Sequence, residues 1–99
     1  MGAGQVNGIV REYAAAIKKD INPYALYLFG SFAKGTANEN SDIDIAVVMQ
    51  NFKGDALKTV AMLYRKKVPI DLRIEPHIFN LEDDDPFLEE IIQTGERVH

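Results

Sequence analysis

The chain has 99 residues, enough for one domain with a single modest core and too few for two. Its 46% apolar content is ordinary for a globular protein, and the absence of cysteine excludes disulfides and thiolate metal sites. A net charge of −4 argues against a general nucleic-acid binder, because phosphate neutralisation needs clustered Lys and Arg, and only Arg65-Lys66-Lys67 forms a cluster.

In chain order, Val6, Ile9, Val10, Tyr13 and Ile17 recur at helical spacing, which predicts an amphipathic helix over residues 4–19. Asn22-Pro23 breaks it, and the apolar, aromatic run Ala25 to Phe29 reads as a buried strand. Ser31 is placed to cap a short helix through Lys34, which Gly35 should end. Thr36 to Ser41 is a polar loop, and Asp42 to Met49 a second, β-branched strand. Leu57, Val60, Ala61 and Tyr64 mark a helix over residues 55–67. Pro69 to Ile74 is expected as a third strand, ended by Pro76. Asp85-Pro86 is a helix start, Phe87, Leu88, Ile91 and Ile92 give that helix its apolar face, and Gly95 sits where a C-terminal cap belongs. The order α-β-α-β-α-β-α predicts a small α/β or α+β domain with helices packed on a sheet, spanning residues 1–99. With no run of 18 apolar residues and no signal-peptide apolar core, the expectation is a cytoplasmic protein without a membrane span.

Two short stretches carry chemistry. Gly30-Ser31 follows an apolar strand, and eleven residues on, Asp42-Ile43-Asp44 opens the next one. Side chains two apart in an extended chain point to one face, so Asp42 and Asp44 project together. Two hard oxygen ligands suit Mg²⁺, which is commonly held by one or two carboxylates plus substrate phosphates. A turn with little side-chain bulk before a helix start offers N–H donors to phosphate oxygens. Together they suggest metal-assisted chemistry on a nucleoside triphosphate.

The ordered set Gly30-Ser31 with Gly35, then Ser41-Asp42-Ile43-Asp44, then a carboxylate at Asp71 in Val68-Pro69-Ile70-Asp71-Leu72, resembles the polymerase-β-type nucleotidyltransferases. The nearest subgroup is the minimal nucleotidyltransferases, antitoxins paired with HEPN toxins. The resemblance runs from about Ile9 to Val98. It implies a small mixed sheet with the Asp-x-Asp strand beside the strand of the third aspartate. It further implies that Asp42, Asp44 and Asp71 bind two Mg²⁺ ions and carry catalysis, Asp71 assisting deprotonation of the acceptor, while Gly30 and Ser31 meet the phosphates of ATP. The implied reaction moves AMP to a hydroxyl on a partner, a HEPN-type ribonuclease toxin. Larger relatives carry a second domain over the nucleotide. With no room for one in 99 residues, a partner chain or a second copy is expected to complete the site. A non-catalytic antitoxin and a small-molecule (antibiotic) nucleotidyltransferase remain the alternatives.

Each residue also has a plainer reading. Asp42 and Asp44 could be turn or capping residues, and Gly30 a simple turn glycine. Asp71 shares a strand face with Arg73 and Glu75 and could sit exposed with them. Glu82-Asp83-Asp84-Asp85 lacks the glycine and alternating ligands of a calcium loop and reads as an acidic helix entrance. His77 and His99 form no ligand pair with recognisable spacing, and Lys34, Arg65 and Lys67 read as solvated.

Overall fold

A computed structural model describes residues 3–99. Helix α1 (Ala3–Ile17) buries Val6, Val10, Tyr13, Ala14 and Ile17, a stripe at helical spacing, so its inner face follows directly from the sequence pattern. Strand β1 (Ala25–Phe29) is buried at all five positions and runs antiparallel to β2 (Ile43–Met49), with Phe29 opposite Asp44. Between them lies the four-residue helix α2 (Ser31–Lys34), ended by Gly35 in the left-handed conformation as expected. Helix α3 (Ala56–Lys67) is capped by Asp55, whose side chain accepts from the Lys58 amide at 3.1 Å. It leads to β3 (Ile74–Asn80), parallel to β2. Helix α4 (Pro86–Thr94) starts at an Asp85 cap with proline at its first position, and a two-residue strand β4 (Glu96–Arg97) pairs antiparallel with β1.

The sheet order is β3-β2-β1-β4, a mixed sheet as the fold class required. Alternation sorts its side chains. Leu26, Leu28, Ile43, Ile45, Val47 and Ile74 meet α1 and α3 on one face. Ala25, Tyr27, Phe29, Ala46 and Val48 meet Leu88 and Ile91 of α4 on the other. The Tyr13 hydroxyl donates to the Leu63 carbonyl at 2.8 Å and ties α1 to α3 inside the first core.

Three expectations need correction. The third strand does not span Pro69 to Ile74 but Ile74–Asn80, because the α3 end continues as a turn: the Ile70 and Asp71 amides both donate to the Lys67 carbonyl. Pro76 lies inside this strand instead of ending it. The Ile43 amide donates to the Arg73 carbonyl, so odd-numbered β3 residues bond to β2 and Pro76 faces the open edge, where a missing N–H costs no ladder bond. Helix α3 buries Thr59, Met62 and Leu63, while Leu57, Val60, Ala61 and Tyr64 are exposed. Both stripes are helical in spacing, and contacts outside the helix choose between them: Lys66 pairs with Asp20 at 2.9 Å, and Lys67 donates to the Leu72 and Ile74 carbonyls. Half of the expected α4 face is likewise outward, since Leu88 and Ile91 are buried but Phe87 and Ile92 are exposed.

Candidate active site

The site forms where β1 ends beside the start of β2. Gly30 has φ 77° and ψ −151°, a region open to glycine alone, and a Cβ there would lie 2.4 Å from Asp44 Oδ2. Glycine is therefore required twice, by conformation and by the carboxylate pressed against it. Gly30 occupies the cap position of α2, and Ser31 is its first helical residue. The expected Ser31 side-chain cap is thus not made, because the hydroxyl sits one position too late. The short helix leaves first-turn N–H groups of the kind that meet anions.

Asp42 is exposed just before β2, and Asp44 is half-buried within it, on the α4 side of the sheet with Ala46 and Val48. The loop ahead of them is fixed by its own polar groups: the Asn38 amide donates to Ser41 Oγ at 2.9 Å and the Asn40 amide to Asn38 Oδ1 at 2.8 Å. Burial pushes the Asp44 carboxyl above the usual carboxylate value. Its hydrogen bond and charge interaction with His77 oppose this, and the negative charges of Asp42 and Glu75 add to the rise.

Strand β3 supplies the neighbours. Glu75 is opposite Asp44 in the parallel ladder, and His77 follows opposite Ala46. His77 Nε2 is 3.3 Å from Asp44 Oδ1, with its ring edge-on to Phe29 at 5.2 Å. The Glu75 carboxylate is drawn toward the open edge, accepting the Tyr64 hydroxyl at 2.7 Å with Lys67 Nζ 3.9 Å away.

The three aspartates expected to gather do not. Asp71 lies in the turn before β3, clamped by Arg73: Nε donates to Oδ1 at 3.0 Å, the second guanidinium nitrogen to Oδ2 at 2.8 Å, and the Arg73 amide to Oδ1 at 2.9 Å. Those side-chain bonds hold the Asp71 carboxyl below its ordinary value, with burial opposing them. The later start of the strand leaves this aspartate off the sheet and puts Glu75 and His77 in its place. Among the described residues no three His, Asp or Glu side chains are gathered closely enough to hold a metal ion. Glu75 and His77 escape a reading that stops the strand at Pro76; alternation from Ile74 onward would have put both on the Asp44 face.

A cleft of about 190 Å³ opens beside Gly30, between Phe29 and Lys34 on one side and Phe87, Glu90 and Thr94 of α4 on the other. Phe87 stands edge-on to both Phe29 (5.7 Å) and Phe79 (5.8 Å) and gives the cleft an aromatic wall. Lys34, expected to be simply solvated, lines this cleft while remaining exposed.

A glycine turn packed on the second aspartate of Asp-x-Asp, in a four-stranded mixed sheet, is the arrangement that the resemblance to nucleotidyltransferases implied. Residues 12–99 match the family described as "Polymerase beta, Nucleotidyltransferase", and the chain belongs to it. Two putative protein adenylyltransferases of Methanocaldococcus jannaschii are similar in sequence. One is 28% identical, covering 99% of this chain and 74% of its own length; the other is 26% identical, covering 91% and 95%. A putative nucleotidyltransferase from Sulfolobus solfataricus shares the fold with a TM-score of 0.66 at 20% identity, covering 96% of this chain and 78% of its own. A toxin–antitoxin crystallised with AMP-PNP does so with a TM-score of 0.69 at 22% identity, covering 94% and 72%.

Proposed function

We propose that this nucleotidyltransferase moves AMP from ATP to a hydroxyl on a partner protein, and that the partner is a HEPN-type ribonuclease toxin. The observation that carries the reading is the Gly30–Asp44 contact, which sets a phosphate-accepting turn against a carboxylate. The names of the M. jannaschii relatives support protein as the acceptor, and the toxin–antitoxin neighbour with AMP-PNP supports ATP and a toxin.

Asp42 just before β2, Asp44 within it and Glu75 on β3 carry the hard oxygens that Mg²⁺ prefers, and the repulsion that Asp42 and Glu75 exert on Asp44 is what a divalent cation would relieve; a bound ion would have to draw the three together, with Glu75 leaving Tyr64. These residues would hold the metal, with Glu75 in the role expected of Asp71. When bound, Mg²⁺ supplies charge neutralisation and polarisation of the α-phosphoryl group. The chain does the rest. Ser31 and the first-turn N–H groups of α2 bind the β- and γ-phosphates, and Gly30 admits them close to the backbone. His77 keeps Asp44 turned toward the site. Phe29 and Phe87 receive the nucleoside in the cleft. The acceptor oxygen bonds to the α-phosphorus as the bond to pyrophosphate breaks, and the acceptor proton passes to Glu75.

Incubation of the chain with α-labelled ATP, Mg²⁺ and the protein encoded beside it tests this. Label on that protein's hydroxyl residue, lost with Asp44→Asn, is expected. Label confined to a free aminoglycoside would overturn it in favour of a small-molecule acceptor, and firm binding of the partner with no label in favour of a masking antitoxin.

A further inference from the structure

Five of the large exposed apolar side chains belong to α3 and the turn after it. Leu57 is 82% exposed, Val68 61% and Leu72 70%, with Val60 and Tyr64 at 38% each. Leu57, Val60, Tyr64 and Val68 are spaced three, four and four residues apart, and Val68 keeps helical φ and ψ, so they form one stripe opposite the buried Thr59, Met62 and Leu63. Lone exposed hydrophobes need no explanation, but a continuous stripe does.

The charge beside the stripe indicates what covers it. Helix α3 carries Lys58, Arg65, Lys66 and Lys67 and no acidic residue, in a chain of net charge −4. Lys66 is engaged by Asp20 and Lys67 by the carbonyls of Leu72 and Ile74. Lys58 and Arg65, seven residues apart, run along the same side of the stripe. The result is an apolar row with a basic row beside it. We infer that α3 is the docking surface for a partner protein that presents an amphipathic helix with a row of Asp or Glu beside its apolar face.

A second copy of this chain fits less well. Its acidic helix α4 exposes Phe87 and Ile92, which are five residues apart and so point in different directions, presenting no matching stripe. An anionic membrane fits less well too, because Glu75, and beyond it Asp44, adjoin Tyr64 at the end of the stripe. Tyr64 serves both surfaces: its ring belongs to the stripe and its hydroxyl holds Glu75. A partner on α3 would therefore lie at the edge of the active site, which deepens the protein-acceptor reading and rests on it.

The test needs neither nucleotide nor metal, so its failure is distinct from a failure of transfer. Two fluorescein-labelled synthetic helices share one leucine face; one carries Glu beside it and the other Lys. Anisotropy titration should show the Glu helix binding at least tenfold more tightly, with affinity falling as salt rises. Leu57→Glu combined with Val60→Glu should abolish binding, and Lys58→Glu combined with Arg65→Glu should reverse the preference toward the Lys helix. All four positions are exposed, and circular dichroism checks that the fold is kept. Equal affinity for the two helices, or stripe variants that bind like the parent, overturns the proposal. So does a dimer in sedimentation that Leu57→Glu dissociates, which gives the stripe to a second copy. Binding to phosphatidylglycerol vesicles in preference to the Glu helix gives it to a membrane and equally overturns it.

Discussion

Glu75 stands opposite Asp44 across the parallel β2–β3 ladder, yet its carboxylate is bonded to the Tyr64 hydroxyl at the open edge of the sheet. Asp71, the aspartate that sequence favours, is meanwhile committed to Arg73. The two acids therefore have separable jobs. Glu75→Gln should lower transfer by at least about 100-fold with the melting temperature nearly unchanged, since Gln can still accept the Tyr64 hydroxyl. Asp71→Asn should retain most activity but lose about 1–3 kcal/mol, because a charge-assisted fork is broken and Arg73 loses its carboxylate partner. Activity assays beside denaturant unfolding separate them; the reverse pattern would return the catalytic role to Asp71.

Gly30→Ala brings a methyl group onto Asp44 Oδ2 and forces a side chain into a glycine-only conformation. Strain of this kind costs about 1–3 kcal/mol. Relief by moving Asp44 would spoil the site, so activity should fall steeply even in the fraction that stays folded. Ligand-free unfolding and single-turnover transfer on the same sample check both effects. Gly35→Ala is the control: its φ is also positive, but its added Cβ meets nothing.

Asp44 and Asp71 should give opposite pH signatures. Asp44 has its folded carboxyl raised above 3.8, so in that window the native state binds more protons than the unfolded chain, and stability falls as pH rises through it. Asp71 has its carboxyl lowered, so its contribution is present above 3.8 and lost as pH falls through the folded value. Without metal, Asp44→Asn should be at least as stable as the parent at neutral pH and should flatten the decline just above pH 3.8. Thermal melts across the acid range test it; an Asp44→Asn variant that melts well below the parent at neutral pH contradicts the assignment.

His77→Ala removes the side chain that hydrogen-bonds Asp44 and leaves the proposed ligands Asp42, Asp44 and Glu75 in place. Partners of this sort are worth about 10–100-fold in metal affinity or activity. The loss should appear mainly as weaker Mg²⁺ activation, and His77→Gln, which keeps a donor, should restore part of it. A metal titration of initial rates distinguishes this from a loss through Phe29 packing, which would leave the Mg²⁺ midpoint unchanged.

Much of the fold was legible because its signals are local. The Asp85-Pro86 start, the α1 stripe and the buried run Ala25 to Phe29 each appear where expected. One contact of the candidate site is local in the same sense: Gly30 packs on Asp44 at the end of β1, where a glycine turn is followed by the start of the paired strand. The rest was hidden by two ambiguities of longer range. Periodicity picked out the Leu57, Val60, Ala61 and Tyr64 stripe of α3 and could not weigh Lys66 and Lys67, which hold the helix toward Asp20 and the β3 turn by its other face. Pro76 looked like a strand end because its cost depends on which side of an edge strand it occupies. That one placement moved the third strand and, with it, Glu75 and His77. Strand β4, two residues long, has no pattern to find.

The outward side of β3 bears on assembly. The Ile74 carbonyl is occupied by Lys67, and Pro76 has no hydrogen to donate, so two successive sites where a foreign strand would attach are closed. The start of this edge, beside Glu75, is thereby blunted against zippering into fibrils or capturing an unfolded segment during synthesis. Recognition there must pass through side chains, which can be specific, and not through main-chain pairing, which is indiscriminate.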